Sequence, residues 1–121
     1  MYSERLLDHF EHPRNVGALD PPALVVEVEN PACGDILKLS AEVSGGRFTR
    51  VLYQTRGCTA SIAAGSALTV LLTGRTVEQA SCVAAAEVEA ALGGLPNESK
   101  HAAVLAVDAA KALSRAANLA P

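Results

Sequence analysis

The 121 residues carry a net charge of −3, and 50% of them are apolar. That length suits one domain around a single core, so one domain over residues 1–121 is expected. Acidic and basic residues are interspersed, and without a basic stripe nucleic-acid binding has no support.

Only Tyr2, Phe10, Phe48 and Tyr53 are aromatic, so the core is expected to consist of Val, Leu, Ile and many Ala. Glu4 and Arg5 stand where a signal peptide would need apolar residues. The longest nearly apolar stretch, Ile62 to Leu72, is interrupted by Gly65, Ser66 and Thr69 and is too short to span a bilayer. These features predict a soluble cytoplasmic protein. The odd number of cysteines, widely spaced, forms no disulfide framework, leaving packing, metal binding or catalysis as their uses.

In chain order, Ser3 is placed to cap a short helix carrying Leu6, Leu7 and Phe10, which Pro13 ends. Leu24 to Glu29 alternates and is β-branched, as in a first strand. From Asp35 to Val43 the alternation is clear, with Leu37, Leu39, Ala41 and Val43 on one side and Lys38, Ser40 and Glu42 on the other. Gly45-Gly46 signals a hairpin, and the return strand Phe48 to Thr55 places Val51 and Tyr53 inward. From Thr59 to Thr73 the chain is apolar nearly all round, as a buried helix would be, and Gly74 ends it. Thr76 with Gln79 is a capping box opening another helix, and Gly93-Gly94 closes this Ala-rich region. A last helix is expected from about Asn97 or Ser99 to about Ala117. The class is α+β: a three-stranded antiparallel sheet with helices packed on one face.

Three segments carry the chemistry. In Pro31-Ala32-Cys33-Gly34-Asp35 a rigid turn precedes a strand, so the thiol and the Asp35 carboxylate can face a common point. Cys58 lies between a strand end and a helix start, and a helix N-terminus favours the thiolate form that binds metal or attacks an electrophile. His101 falls in the first turn of the last helix. Taken singly, each has a plain structural reading: a cysteine packs, an aspartate shapes a turn, a histidine caps a helix or lies on the surface.

The opening Tyr2-Ser3-Glu4-Arg5-Leu6-Leu7-Asp8-His9-Phe10, followed by His12-Pro13-Arg14-Asn15-Val16-Gly17, resembles the N-terminal signature of the IscU-type iron–sulfur cluster scaffold family, which includes the N-terminal domain of NifU. Pro31 to Asp35 resembles that family's first ligand turn and Gly57-Cys58-Thr59-Ala60-Ser61 its second. Gly74-Arg75-Thr76-Val77-Glu78 and Leu95-Pro96, His101, Leu105-Ala106 and Asp108-Ala109 continue the likeness across nearly the whole chain. The resemblance implies a non-enzymatic scaffold that assembles a [2Fe-2S] cluster on three cysteines and a histidine. It implies partners too: a cysteine desulfurase supplying sulfur and recipient apo-proteins taking the cluster. It carries over Cys33, Cys58 and His101 as cluster ligands, with Asp35 as a neighbouring carboxylate that tunes lability or takes a metal position. Iron and zinc both suit such donors.

Two departures follow from the same resemblance. The family's third cysteine directly follows the histidine, where this chain has Ala102, expected to face the same cavity. Asn97-Glu98-Ser99-Lys100 does not match the family's chaperone-binding stretch, which argues against a dedicated co-chaperone. Cys82 falls outside the ligand register and is expected to be a small core residue. The implied protein is a monomer or weak homo-oligomer, away from membranes. Two other functions stay open: a degenerate homologue holding one Zn or Fe ion as metal donor or regulator, and a thiol enzyme with Cys58 as nucleophile and His101 as base.

Overall fold

In the computed structural model, which describes residues 1–119, the alternating segments form strands β1 (Leu24–Glu29), β2 (Ile36–Ser44) and β3 (Arg47–Arg56). They make one antiparallel sheet in the order β1-β2-β3. The helices are α1 (Glu4–Glu11), α2 (Thr59–Leu72), α3 (Val77–Ser81), α4 (Ala85–Ala91) and α5 (His101–Leu119), with a 3₁₀ turn at Asn97–Ser99. No described helix is long and apolar enough to cross a membrane.

The inner face of the sheet presents Leu37, Leu39, Ala41, Phe48, Val51 and Tyr53, all buried. Phe48 and Val51 are three apart yet share this face, because the register shifts at Glu42/Val43 and a bulge absorbs Thr49. Val43 departs from expectation: it pairs with Phe48, but at the hairpin end it is 39% exposed. The outer edge of β3 is not left open. Gly17 donates to the Tyr53 carbonyl, Tyr53 to the Asn15 carbonyl and Phe48 to the Arg75 carbonyl, each at 2.9 Å. These bonds consume an edge that would otherwise invite pairing with another chain.

Helix α2 lies directly on this face. It is buried almost all round, and Gly65 permits the approach: a Cβ there would stand 2.5 Å from two ring carbons of Tyr53. The Tyr53 hydroxyl donates to the Ile62 carbonyl at 2.9 Å, and burial pushes its pKa up to about 12. Two polar residues of α2, Ser66 and Thr69, are taken by the N-terminal segment. Ser66 pairs with His9 Nδ1 at 2.7 Å and accepts from the Arg14 amide at 2.9 Å, while Thr69 Oγ1 accepts from Asn15 Nδ2 at 3.1 Å. Helix α1 is capped by the Ser3 hydroxyl, which accepts from the Leu6 amide at 3.0 Å and donates to the Leu92 carbonyl.

The Ala-rich segment after Gly74 forms two helices rather than one. The capping box of Thr76 and Gln79 is present, but α3 ends after five residues, and Ala84 is extended before α4 begins. At this break Val83 turns into the core, 2% exposed, and Cys82 turns outward. Cys82 is therefore not a core residue: two positions beyond buried Ala80, it falls about 200° round the helical turn, on the side away from the core. Helices this short depend on tertiary contact. The Arg75–Glu87 ion pair and the Ser114 hydroxyl, which donates to the Val77 carbonyl at 2.8 Å, supply part of it. Helix α5 closes the core, with Leu105, Ala106, Ala109, Ala110 and Leu113 buried.

Two outcomes follow from this packing. Gly65→Ala forces its methyl into the Tyr53 ring and is expected to cost about 1–3 kcal/mol, read as a lowered denaturation midpoint. His9 is held below the ordinary imidazole pKa, chiefly by burial and then by the Arg14 charge, with Asp8 opposing. The unfolded chain therefore takes up the His9 proton first, and stability falls as pH drops below about 6.5. His9→Gln should flatten that dependence in urea titrations at pH 7 and pH 5; an unchanged difference would refute the assignment.

Candidate metal centre

The β2–β3 register places Ile36 opposite Arg56, so Asp35, just before β2, meets Gly57 and Cys58, just after β3. Cys58 is the N-cap of α2, its backbone extended at φ −76° and ψ 171°, and its thiol makes no capping bond. Cys33 is exposed on the β1–β2 turn. That turn is held by Asn30: its side-chain oxygen accepts from the Ala32 amide at 2.9 Å and its carbonyl accepts from Gly34 at 2.7 Å. Gly34 has φ +77°, a conformation that favours glycine. His101 opens α5 after the 3₁₀ turn, and a Lys100–Glu89 ion pair ties the residue before it to α4.

These elements bring the four residues singled out from the sequence to one end of the sheet. Donor atoms of Cys33, Asp35 and His101 all lie within 4.8 Å of one another. Cys58 Sγ is 3.5 Å from His101 Nε2, and Asp35 Oδ2 is 3.6 Å from the same nitrogen. Bond lengths of about 2.0 Å to nitrogen and 2.3 Å to sulfur at tetrahedral angles would set ligand atoms roughly 3.5 Å apart. The spacing thus fits Cys33, Asp35 and His101 around a single ion, with Cys58 beside His101 but outside that mutual group; thiol, imidazole and carboxylate suit zinc or iron.

Asp35 is 9% exposed. Burial alone would raise its pKa. Hydrogen bonds from the Ser61 hydroxyl, the Cys58 amide and the Cys58 and Cys33 thiols outweigh that and hold the carboxyl below its ordinary value. The space is tight, since a Cβ on Gly57 would lie 2.6 Å from Asp35 Cγ. Ala102 is 1% exposed within the apolar core, and Cys82 is on the surface outside the donor cluster. Sequence reasoning missed Ser61, Gly57 and Asn30 as parts of the site. For Ser61 a signal existed: a polar residue in the first turn of a largely apolar helix, from which a side chain turns back toward the N-terminus.

The model of the NifU-like N terminal domain matches residues 1–116. The chain belongs to the NifU-like N-terminal domain family. Among its relatives, the iron–sulfur cluster assembly scaffold protein IscU 1 of Archaeoglobus fulgidus is 41% identical over 109 residues, covering 90% of this chain and 71% of that protein. The iron–sulfur cluster assembly scaffold protein IscU of Azotobacter vinelandii is 39% identical over 118 residues, covering 94% and 91% of the two chains. The crystal structure of a nitrogen-fixing NifU-like protein (N-terminal) from Brucella abortus superposes with a TM-score of 0.77 at 18% identity, covering 98% of this chain and 95% of that one, a likeness of fold. The NifU-like fold is the one expected: a three-stranded antiparallel sheet with helices on one face.

In this NifU-like chain the carboxylate cradle depends on Gly57. Gly57→Ala should push Asp35 aside and weaken zinc binding by about tenfold or more, measured by competition with a chromophoric chelator, with the fold retained by circular dichroism.

Proposed function

We propose that the chain is a non-enzymatic scaffold or carrier for iron–sulfur clusters, in which Cys33, Cys58 and His101, with Asp35, hold iron or a [2Fe-2S] cluster as cargo. The observation that carries this is the approach of Cys58 Sγ and Asp35 Oδ2 to one nitrogen of His101, with the Cys33 thiol in the same cluster. Family membership and the names of the relatives support the same reading. In such a role a cysteine desulfurase supplies sulfur, recipient apo-proteins take the product, and the protein works in the cytoplasm. The exposed Cys33 leaves one side of the site open to such partners.

A second reading, one Zn or Fe ion held as donor or regulator, is favoured by Ala102. A buried methyl stands where the resemblance puts a third thiolate, and two thiols, one imidazole and one carboxylate match in number the four donors of a tetrahedral ion. The thiol-enzyme reading finds no such support. A Cys–His–carboxylate relay needs the carboxylate on one ring nitrogen and the thiol on the other. Here both approach Nε2.

Anaerobic reconstitution with iron and sulfide separates the first two readings. The scaffold should develop the visible absorption of a cluster, with iron and sulfide in equal amounts. A colourless protein holding one metal ion per chain would establish the second reading instead. Ala102→Cys is expected to retain more iron and sulfide than the parent, since it restores a thiolate. Equal retention would show that Ala102 does not limit cluster binding.

A further inference from the structure

Ser61 places a hydroxyl inside the donor cluster, and the proposed ligand set does not use it. It is 2% exposed in the first turn of α2, three residues after Cys58. Its oxygen lies 2.6 Å from Asp35 Oδ2 and 3.5 Å from Cys58 Sγ. A hydroxyl has one proton, and the short contact assigns it to the carboxylate, as a charge-assisted bond. The same Oδ2 is the atom 3.6 Å from His101 Nε2 and 3.5 Å from the Cys58 amide. Ser61 therefore grips the oxygen that faces the other donors. Gly57 leaves the carboxylate just enough room. Without the hydroxyl the carboxylate would keep only the long bond from the Cys58 amide, at 3.5 Å, and the weaker bonds from the two thiols.

We infer that Ser61 is a positioning residue: it fixes the Asp35 carboxylate toward His101 and Cys58, and so sets the affinity of the site for a divalent ion without being a ligand. The inference rests on the metal-binding reading above and adds to it a residue that acts only through Asp35. Outer-shell partners of ligating carboxylates typically contribute about 10–100-fold in metal affinity.

A cycle of Ser61→Ala, Asp35→Ala and the double variant, titrated with Zn²⁺ in competition with a chromophoric chelator, tests it. Ser61→Ala should weaken zinc binding by about 10–100-fold in the parent background and change nothing when Asp35 is already Ala. Equal losses in both backgrounds, or no loss in the first, overturn the inference. In the metal-free protein, the β-proton couplings of Asp35 should report one fixed rotamer in the parent and an averaged one in Ser61→Ala. An Asp35 rotamer that stays fixed without the hydroxyl also overturns it. A parent that binds neither Zn²⁺ nor Fe²⁺ but loses the fixed rotamer in Ser61→Ala refutes the reading of these residues as a metal-ion site, and with it the affinity role. Normal thermal unfolding of Ser61→Ala excludes a merely structural effect.

Discussion

The pairing of Ile36 with Arg56 is the contact on which the site depends. The chain reverses at Gly45-Gly46, and from there β2 and β3 run side by side for their whole length. The bulge opposite Glu42/Val43 is part of the count: with it, Asp35 and Gly57-Cys58 finish level. A slip of one residue would exchange the faces of β3 and carry Tyr53 away from Gly65. Register therefore fixes core and site together, and the bare Cα of Gly57 against Asp35 records how closely the ends meet.

The second constraint is the small size of the core side chains. Ala60, Ala63, Ala64 and Ala67 of α2 and Ala102, Ala103, Ala106, Ala109 and Ala110 of α5 are all buried. With so few large residues, the helices must approach the sheet closely to fill space, and Gly65 marks the tightest point. Such packing leaves little freedom at the helix starts. Cys58 and His101, at the N-termini of α2 and α5, are thereby set on rigid elements, while Cys33 rides on a hydrogen-bonded turn in solvent. The donor set is thus fixed on one side and accessible on the other, an arrangement suited to a cargo that arrives and leaves.

Much of this was legible in the residues because local rules govern it. Period-two alternation located the strands, Gly45-Gly46 the hairpin, and the Thr76–Gln79 capping box the start of α3. Cys33, Asp35, Cys58 and His101 stood out by residue type and by their places at element ends, and family resemblance gave them a common purpose. Cys82 was misread, since apolar composition alone does not say which side of a short helix end faces the core; there Val83 is buried and Cys82 is exposed. Val43 was misread for a related reason: alternation assigns a face but not whether any helix covers it.

The sequence by itself determined the fold class, the element order and the chemical identity of the donors, because these follow from patterns within ten or twenty neighbouring residues. Only the tertiary structure decided that Cys58 and Asp35 approach the same nitrogen of His101, that Ser61 grips the carboxylate, and that Ala102 lies in the core. Those facts depend on contacts between residues 26 to 66 positions apart, set by strand register and helix packing. No local pattern encodes such distances, because they are fixed only when the whole core closes.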